Sequence, residues 1–330
     1  MFSKKNSQNE LSIKKKEVEL TFKFETELER LIYEALRIRL AEQRCAEIYP
    51  SDKIQSPVHL SIGQEHISVG ACAALRKTDL VFGSYRGHAL YLAKGGNMKE
   101  MFAELFGKKA GCGAGKAGSM HLSDASIGMM GSSAIVASTI PHAVGAALAA
   151  KVRKSNQVIV CFYGEGATGE GVYHESINFA AMKKLPILFL CENNDLSIYS
   201  KVSQLHSYEV TEHATAYKIK SKKIKNGCDL QHIADTCRNL IDLIRNGEGP
   251  YLLEIETYRY RQHVGPNEDY DVGYRNRSQL EEWLAIDPLF QNKALIKRFS
   301  PAIEEEIEEA IAFAEAAEFP QPLDLYTDIY

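Results

Sequence analysis

The chain has 330 residues, 45% of them hydrophobic and 25% charged, and a formal net charge of −4. That composition gives ample material for a large core, as one large domain or two modest ones. The weak negative balance excludes the global basic field that binds nucleic acid, and no apolar run reaches the length of a membrane span.

Residues 1–23 are expected as a flexible N-terminal segment, 24–318 as the main domain and 319–330 as a C-terminal tail. Seven cysteines without a C-x-x-C pair argue for a reducing compartment and against a disulfide framework. The Lys-rich start lacks a signal-peptide core and an Arg-rich transit pattern, so the expected location is cytoplasmic.

In chain order, residues 24–49 read as a helix with Leu28, Ile32, Leu36 and Leu40 on one face. Helices are also predicted over 63–75 and 98–106. Residues 107–121, GKKAGCGAGKAGSMH, are too glycine-rich for a regular element and predict a loop. A helix of small residues follows from 134 to about 152. Then strands and helices alternate. VIVCFY at 158–163 is a buried strand, GEGATGEG a turn, and 171–184 a helix that Pro186 stops. ILFLCE at 187–192 and YLLEIETYRY at 251–260 are further strands. Apolar strands alternating with helices predict a doubly wound α/β fold with a mainly parallel sheet covered on both faces. Near the C-terminus Ser300-Pro301 reads as cap and first turn of a helix with Ile303, Ile307, Ala310, Ile311 and Ala314 as its stripe.

The turn Gly164-Glu165-Gly166 carries the strongest chemical signal. It follows a strand and opens a helix, where backbone N–H groups can meet a phosphate. The next strand ends in Glu192-Asn193-Asn194. Consecutive parallel strands bring both ends to one sheet edge, so a carboxylate and an amide oxygen converge beside a phosphate, which suits magnesium. Gly164, Gly166 and Gly169 also match the dinucleotide pattern G-x-G-x-x-G, with Glu192 ending the following strand. A carboxylate inside the turn would repel a bare pyrophosphate, which counts against that reading. A second match, Gly113-x-Gly115-x-x-Gly118, does not follow a strand.

The stretch from GEGATGEG to ENN resembles the thiamin diphosphate motif. VHLSIGQE at 58–65, SYRGHA at 84–89, GKAGSMH at 115–121, AIVASTIPHAVG at 134–145 and TYRYRQH at 257–263 resemble, in the same order, the alpha subunits of pyruvate, branched-chain and acetoin dehydrogenases. The resemblance implies a thiamin-diphosphate-binding fold of the pyrophosphate-binding type. By this similarity Glu165, Asn194 and the Leu196 carbonyl are metal ligands. Tyr85, Arg86, Gly166 and Ala167 hold the diphosphate, and Ala134, Val136 and Ile198 cradle the aminopyrimidine. His263 assists the reacting complex above the cofactor, and His59 lies near the substrate carboxylate. Glu165 stands where most of the family has Asp, Gly169 replaces a frequent Asn, and Val264 replaces a phosphorylatable Ser, so kinase control there is not expected.

The resemblance further implies oxidative decarboxylation of a 2-oxo acid, pyruvate foremost, with acyl transfer to a lipoyl group on a partner acyltransferase. It implies a heterotetramer of two alpha and two beta chains. Acetoin cleavage, an NAD-binding dehydrogenase and a non-catalytic assembly subunit are the alternatives.

Overall fold

The computed structural model describes residues 23–327, so all but Lys23 of the expected flexible segment lies outside the described residues. Six strands form one sheet: β1 (Leu80–Ser84), β2 (Met129–Ser133), β3 (Ile159–Gly164), β4 (Ile187–Asn193), β5 (Lys220–Ile224) and β6 (Tyr251–Glu256). Their order is β2-β1-β3-β4-β6-β5, and every neighbouring pair is parallel. The direction of winding reverses between β1 and β3. A crevice therefore opens at the carboxyl ends of those strands, the usual ligand position in open α/β sheets.

Alternate residues of the central strands feed two apolar layers. Val160, Phe162, Leu188, Leu190, Leu253 and Ile255 pack against α1 (Glu27–Ile48), α2 (Glu65–Ala73), α3 (His88–Ala93) and α4 (Met98–Leu105). Later helices join that layer. Ile159, Cys161, Ile187, Phe189 and Cys191 face the other way, against α5 (Thr139–Val152), α6 (Gly171–Lys183) and α7 (Val210–Ala216). The first layer is completed by α8 (Leu230–Leu243), α9 (Arg277–Ile286) and α10 (Lys293–Ala316). Burial on both faces explains why the strands read as continuous apolar runs. Among the described residues no helix is long and apolar enough to cross a membrane.

The structure corrects several expectations. The helix expected from 134 starts at Thr139, because Ala137 adopts φ +61° and turns the chain. The stripe on α1 is borne out in part: Ile32 and Leu36 are buried as expected, but Leu28 is exposed and Leu40 half-buried, and Leu31, Ala35 and Ile38 are buried in their place. Ser300-Pro301 does not start a helix. Asn292 caps α10 by accepting from the Leu295 N–H, and Pro301 lies inside it. Phe299 and Ile303, both fully buried, anchor the helix on either side of the proline. The last strand ends at Glu256 because Tyr260 N–H is taken by Ile62 O at 2.8 Å, which draws the chain over the sheet edge. Residues 319–327 run back along the glycine-rich loop, with Lys109 paired to Asp324 at 2.9 Å.

Candidate active site

The carboxyl edge of the sheet gathers the predicted site residues. Tyr85 and Arg86 follow β1, Ala134 follows β2, Glu165 follows β3, Asn194 follows β4, and the segment to His263 follows β6. Gly164 pairs with Glu192 in register, which sets Glu165 and Asn194 side by side. The Asn194 N–H donates to Glu165 Oε2 at 3.2 Å. The two asparagines point to different partners. Asn193 donates to Glu254 at 2.7 Å, whereas Asn194 donates to Gln64 Oε1 at 3.0 Å and accepts from the Leu196 N–H at 3.1 Å.

Glu165 is 1% exposed, and burial pushes its carboxyl up to about 7 against the pull of nearby backbone N–H groups. Glu192 is also buried and pushed up to about 7 by burial, with Arg86 opposing and Glu165 reinforcing the rise. A buried carboxylate without a cation is costly, and a cation beside Glu165 would relieve it.

Arg86 is buried with only carbonyl partners, Leu60 O at 2.6 Å and His263 O at 3.4 Å. No ion pair to its guanidinium is seen among the described residues, and burial lowers its affinity for a proton. A buried fork with no carboxylate in direct contact is suited to an anion, with the Glu42 and Glu192 charges acting on it only at longer range. Gly166 in the turn has no side chain, and a Cβ there would meet Ser197 Oγ at 2.5 Å. Thr168 Oγ1 closes the turn onto Glu165 O at 2.8 Å, and the Tyr208 hydroxyl donates to Thr168 O at 2.8 Å.

His59, Tyr85 and His263 form an aromatic wall, with ring centroids 4.5 Å (His59–Tyr85), 5.2 Å (His59–His263) and 5.6 Å (Tyr85–His263) apart. Burial, then the Arg86 charge, pushes both histidines down to about 3, so both are neutral at neutral pH. His59 Nδ1 is buried without a hydrogen-bond partner, an orphan that a polar ligand group would satisfy.

Val136 and Ile198 are 44% and 49% exposed, so they are not core residues. Ile198 holds φ +59°, a conformation that β-branched residues avoid, and its carbonyl accepts from Arg259 at 3.0 Å. Arg259, Asp269 and Arg275 form a buried ion cluster beneath the segment that carries His263. Gln64, Arg259 and Tyr208 were not singled out from sequence. Gln64 lies in the motif VHLSIGQE and Arg259 in TYRYRQH, so both could have been found there, but Tyr208 acts only through tertiary contacts. A cavity of about 670 Å³ lies beside Asn194 and Leu196, reaching Tyr208 and Trp283.

The family model for the dehydrogenase E1 component matches residues 33–322. The chain is 35% identical over 306 residues to the alpha subunit of acetoin:2,6-dichlorophenolindophenol oxidoreductase from Bacillus subtilis, covering 89% of this chain and 91% of that protein. It is 31% identical over 307 residues to the alpha subunit of the pyruvate dehydrogenase E1 component from Rickettsia bellii, covering 89% and 93%. It is 35% identical over 302 residues to the chloroplastic alpha-3 subunit of that component from Arabidopsis thaliana, covering 86% and 69%. A transketolase structure from Campylobacter jejuni superposes with a TM-score of 0.57 at 16% identity, a likeness of fold alone. The match covers 84% of this chain and 48% of the transketolase chain.

Proposed function

The chain belongs to the dehydrogenase E1 component family, and from that premise we propose how its site works. It is the alpha subunit of a thiamin-diphosphate-dependent 2-oxo acid dehydrogenase, an oxidoreductase of the pyruvate dehydrogenase (acetyl-transferring) type. One observation carries the assignment of the site: among the described residues, the buried Glu165 carboxyl has no cation in contact and the buried Arg86 guanidinium has no carboxylate in contact, and both stand at the carboxyl edge of the sheet. A diphosphate with its magnesium ion supplies the missing charge to both.

In this reading Arg86 and the N–H groups of Gly166 and Ala167 bind the diphosphate, with Tyr85 beside them. Glu165, the Asn194 amide oxygen and the Leu196 carbonyl hold Mg2+. Ala134, Val136 and Ile198 offer backbone and apolar surface to the aminopyrimidine. Thiamin diphosphate supplies the electron sink that lets a 2-oxo acid lose carbon dioxide. The chain orients the reactants and excludes water. His59 and His263, packed in the aromatic wall beside Arg86, are placed to hydrogen-bond the reactants. Asn194 is fixed by Gln64, so the metal edge is prepared before the cofactor arrives.

We propose pyruvate as the substrate. The 35% identity to an acetoin-cleaving relative keeps acetoin as the second reading. The proposal includes a beta subunit in a two-alpha, two-beta assembly, a lipoyl-bearing acyltransferase as acceptor, and a cytoplasmic location supported by seven unpaired thiols. The test is co-expression with the beta subunit, followed by turnover of pyruvate, branched-chain 2-oxo acids and acetoin with an artificial electron acceptor. The pair should turn over one of them, and the isolated chain saturated with thiamin diphosphate and Mg2+ should not. Equal rates from the isolated chain would remove the partner requirement. Calorimetric binding of NAD without metal, in place of thiamin diphosphate, would restore the dinucleotide reading, and binding of neither would make the chain an assembly subunit.

A further inference from the structure

Behind the site lies a buried array that the reaction does not touch. Glu42 on α1 accepts from His88 Nδ1 at 3.1 Å, and His88 Nε2 meets Ser119 Oγ at 2.7 Å. The order carboxylate–histidine–serine has the contacts of a nucleophilic triad. All three residues are 0% exposed, so no substrate reaches the serine and the array serves another purpose. In the neutral ring, His88 Nδ1–H donates to Glu42 and the Ser119 hydroxyl donates to Nε2.

The purpose is visible in what else these groups hold. Glu42 Oε1 also accepts from the Ser61 N–H at 2.9 Å. Ser61 ends the triplet His59-Leu60-Ser61, whose middle carbonyl accepts from Arg86 Nη1 at 2.6 Å. His88 lies two residues beyond Arg86, so one carboxylate oxygen ties the segment with His59 to the segment with Arg86. At the other end, Ser119 follows Gly118, and its own N–H donates to Ser56 Oγ at 2.9 Å. Gly118 is fixed in turn, because Glu104 accepts from the N–H groups of Gly113, Gly115, Ala117 and Gly118 at 2.8 to 3.0 Å.

We propose that Glu42, His88 and Ser119 are positioning residues that hold His59 and Arg86 in register, with the glycine-rich loop 107–121 as their anchor. The inference rests on the site assigned above. It predicts that substrate and diphosphate constants move together when the array is cut, since one carboxylate oxygen holds both walls.

The test uses the alpha–beta complex, with thiamin diphosphate and Mg2+ titrated calorimetrically and kcat and KM measured for the turned-over 2-oxo acid. Glu42→Ala should raise both the cofactor Kd and the substrate KM about tenfold, the scale of lost outer-shell support. Glu42→Gln should restore most of both, because its amide oxygen still accepts from Ser61 and His88. Ser119→Ala cuts only the far end, and should raise KM about threefold with an unchanged melting temperature. If Glu42→Ala fails to fold, Ser119→Ala decides, and an unchanged KM there overturns the proposal. Parental constants in a folded Glu42→Ala complex, or equal impairment in the Ala and Gln variants, also overturn it. Glu165→Ala separates the two levels. If it binds cofactor like the parent, the site assignment fails. If it loses cofactor while the array variants match the parent, only the array falls.

Discussion

Two glycine-rich segments of this chain share the spacing G-x-G-x-x-G and both involve a glutamate, yet they fold to opposite ends. At Gly113, Gly115 and Gly118 the backbone N–H groups curl around the Glu104 carboxylate, which accepts four of them and is 1% exposed. The loop is an anion nest already filled by its own chain. At Gly164, Gly166 and Gly169 the carboxylate lies within the turn, and the hydrogen bond it accepts from Asn194 is a long 3.2 Å. Arg86, at the same sheet edge, has only carbonyl hydrogen-bond partners among the described residues. The same spacing thus makes an internal brace in one place and, in the other, a turn with its own carboxylate at the sheet edge. The difference lies in whether a neighbouring element, here α4, delivers a carboxylate into the nest.

The largest expected effect breaks the ligand and spares the fold. Glu165→Ala should weaken thiamin diphosphate binding by roughly a hundredfold or more, as loss of a metal ligand does, and a chelator should release the cofactor from the parent. The melting temperature of the ligand-free variant should not fall, because an uncompensated buried carboxyl has been removed. Unchanged cofactor affinity by calorimetry would end the metal assignment.

Glu104→Ala should do the reverse. Four N–H groups lose a charged acceptor, at a cost of roughly 3 kcal/mol in unfolding free energy. Denaturant unfolding of the ligand-free chain measures it, and a midpoint equal to the parent's would show that water replaces the carboxylate freely.

A smaller effect probes the open turn directly. Gly166→Ala places a Cβ against Ser197 Oγ, 2.5 Å away, and Ser197 must shift. Cofactor affinity should fall about tenfold, since the methyl group intrudes where the backbone meets the phosphate. Gly145→Ala on α5, where nothing lies within 4 Å of an added Cβ, is the matched control and should bind like the parent.

The smallest effect is on acid stability. His59 and His263 are pushed by burial, and then by Arg86, from 6.5 down to about 3. Between those values the unfolded chain binds protons that the folded chain refuses, so stability present at neutral pH is lost as pH falls from about 6.5 towards 3. Glu165 and Glu192, raised from 4.5 to about 7, act oppositely, and their share falls as pH rises through that window. His263→Asn should flatten the acid loss of melting temperature by a few degrees, roughly what one neutralised group contributes. An unaltered acid limb would show that His263 titrates normally in the folded chain.

Much of this protein was legible in the sequence because the signals were local. The runs at 158–163 and 187–192 are apolar enough to specify buried strands, and Glu165 and Asn194 end those strands. Knowing only that the strands are parallel neighbours places the two residues together, as the Gly164–Glu192 register confirms. The stripe on α10 was legible for the same reason, since Ile303, Ile307, Ala310, Ile311 and Ala314 keep helical spacing. A comparable stripe on α8, with Leu230, Ile233, Cys237, Leu240 and Ile241 behind the Asp229 cap, was present but passed over.

Tertiary structure decided the rest, because it depends on which segments arrive beside one another. β5 carries lysines along an edge and has no apolar run to announce it. Pro301 continues a helix because Phe299 and Ile303 are buried on either side of it. The sequence pointed to a phosphate and a metal at the Gly164 turn, but the spacing at 113–118 did not announce that Glu104 fills that loop. The sequence determined that a glycine turn with an acidic residue follows the strand at 158–163, and that residues 107–121 form a glycine-rich loop. The packing of α4 against that loop, and of Asn194 beside Glu165, decided that the loop is filled by its own chain while the turn holds its carboxylate at the sheet edge.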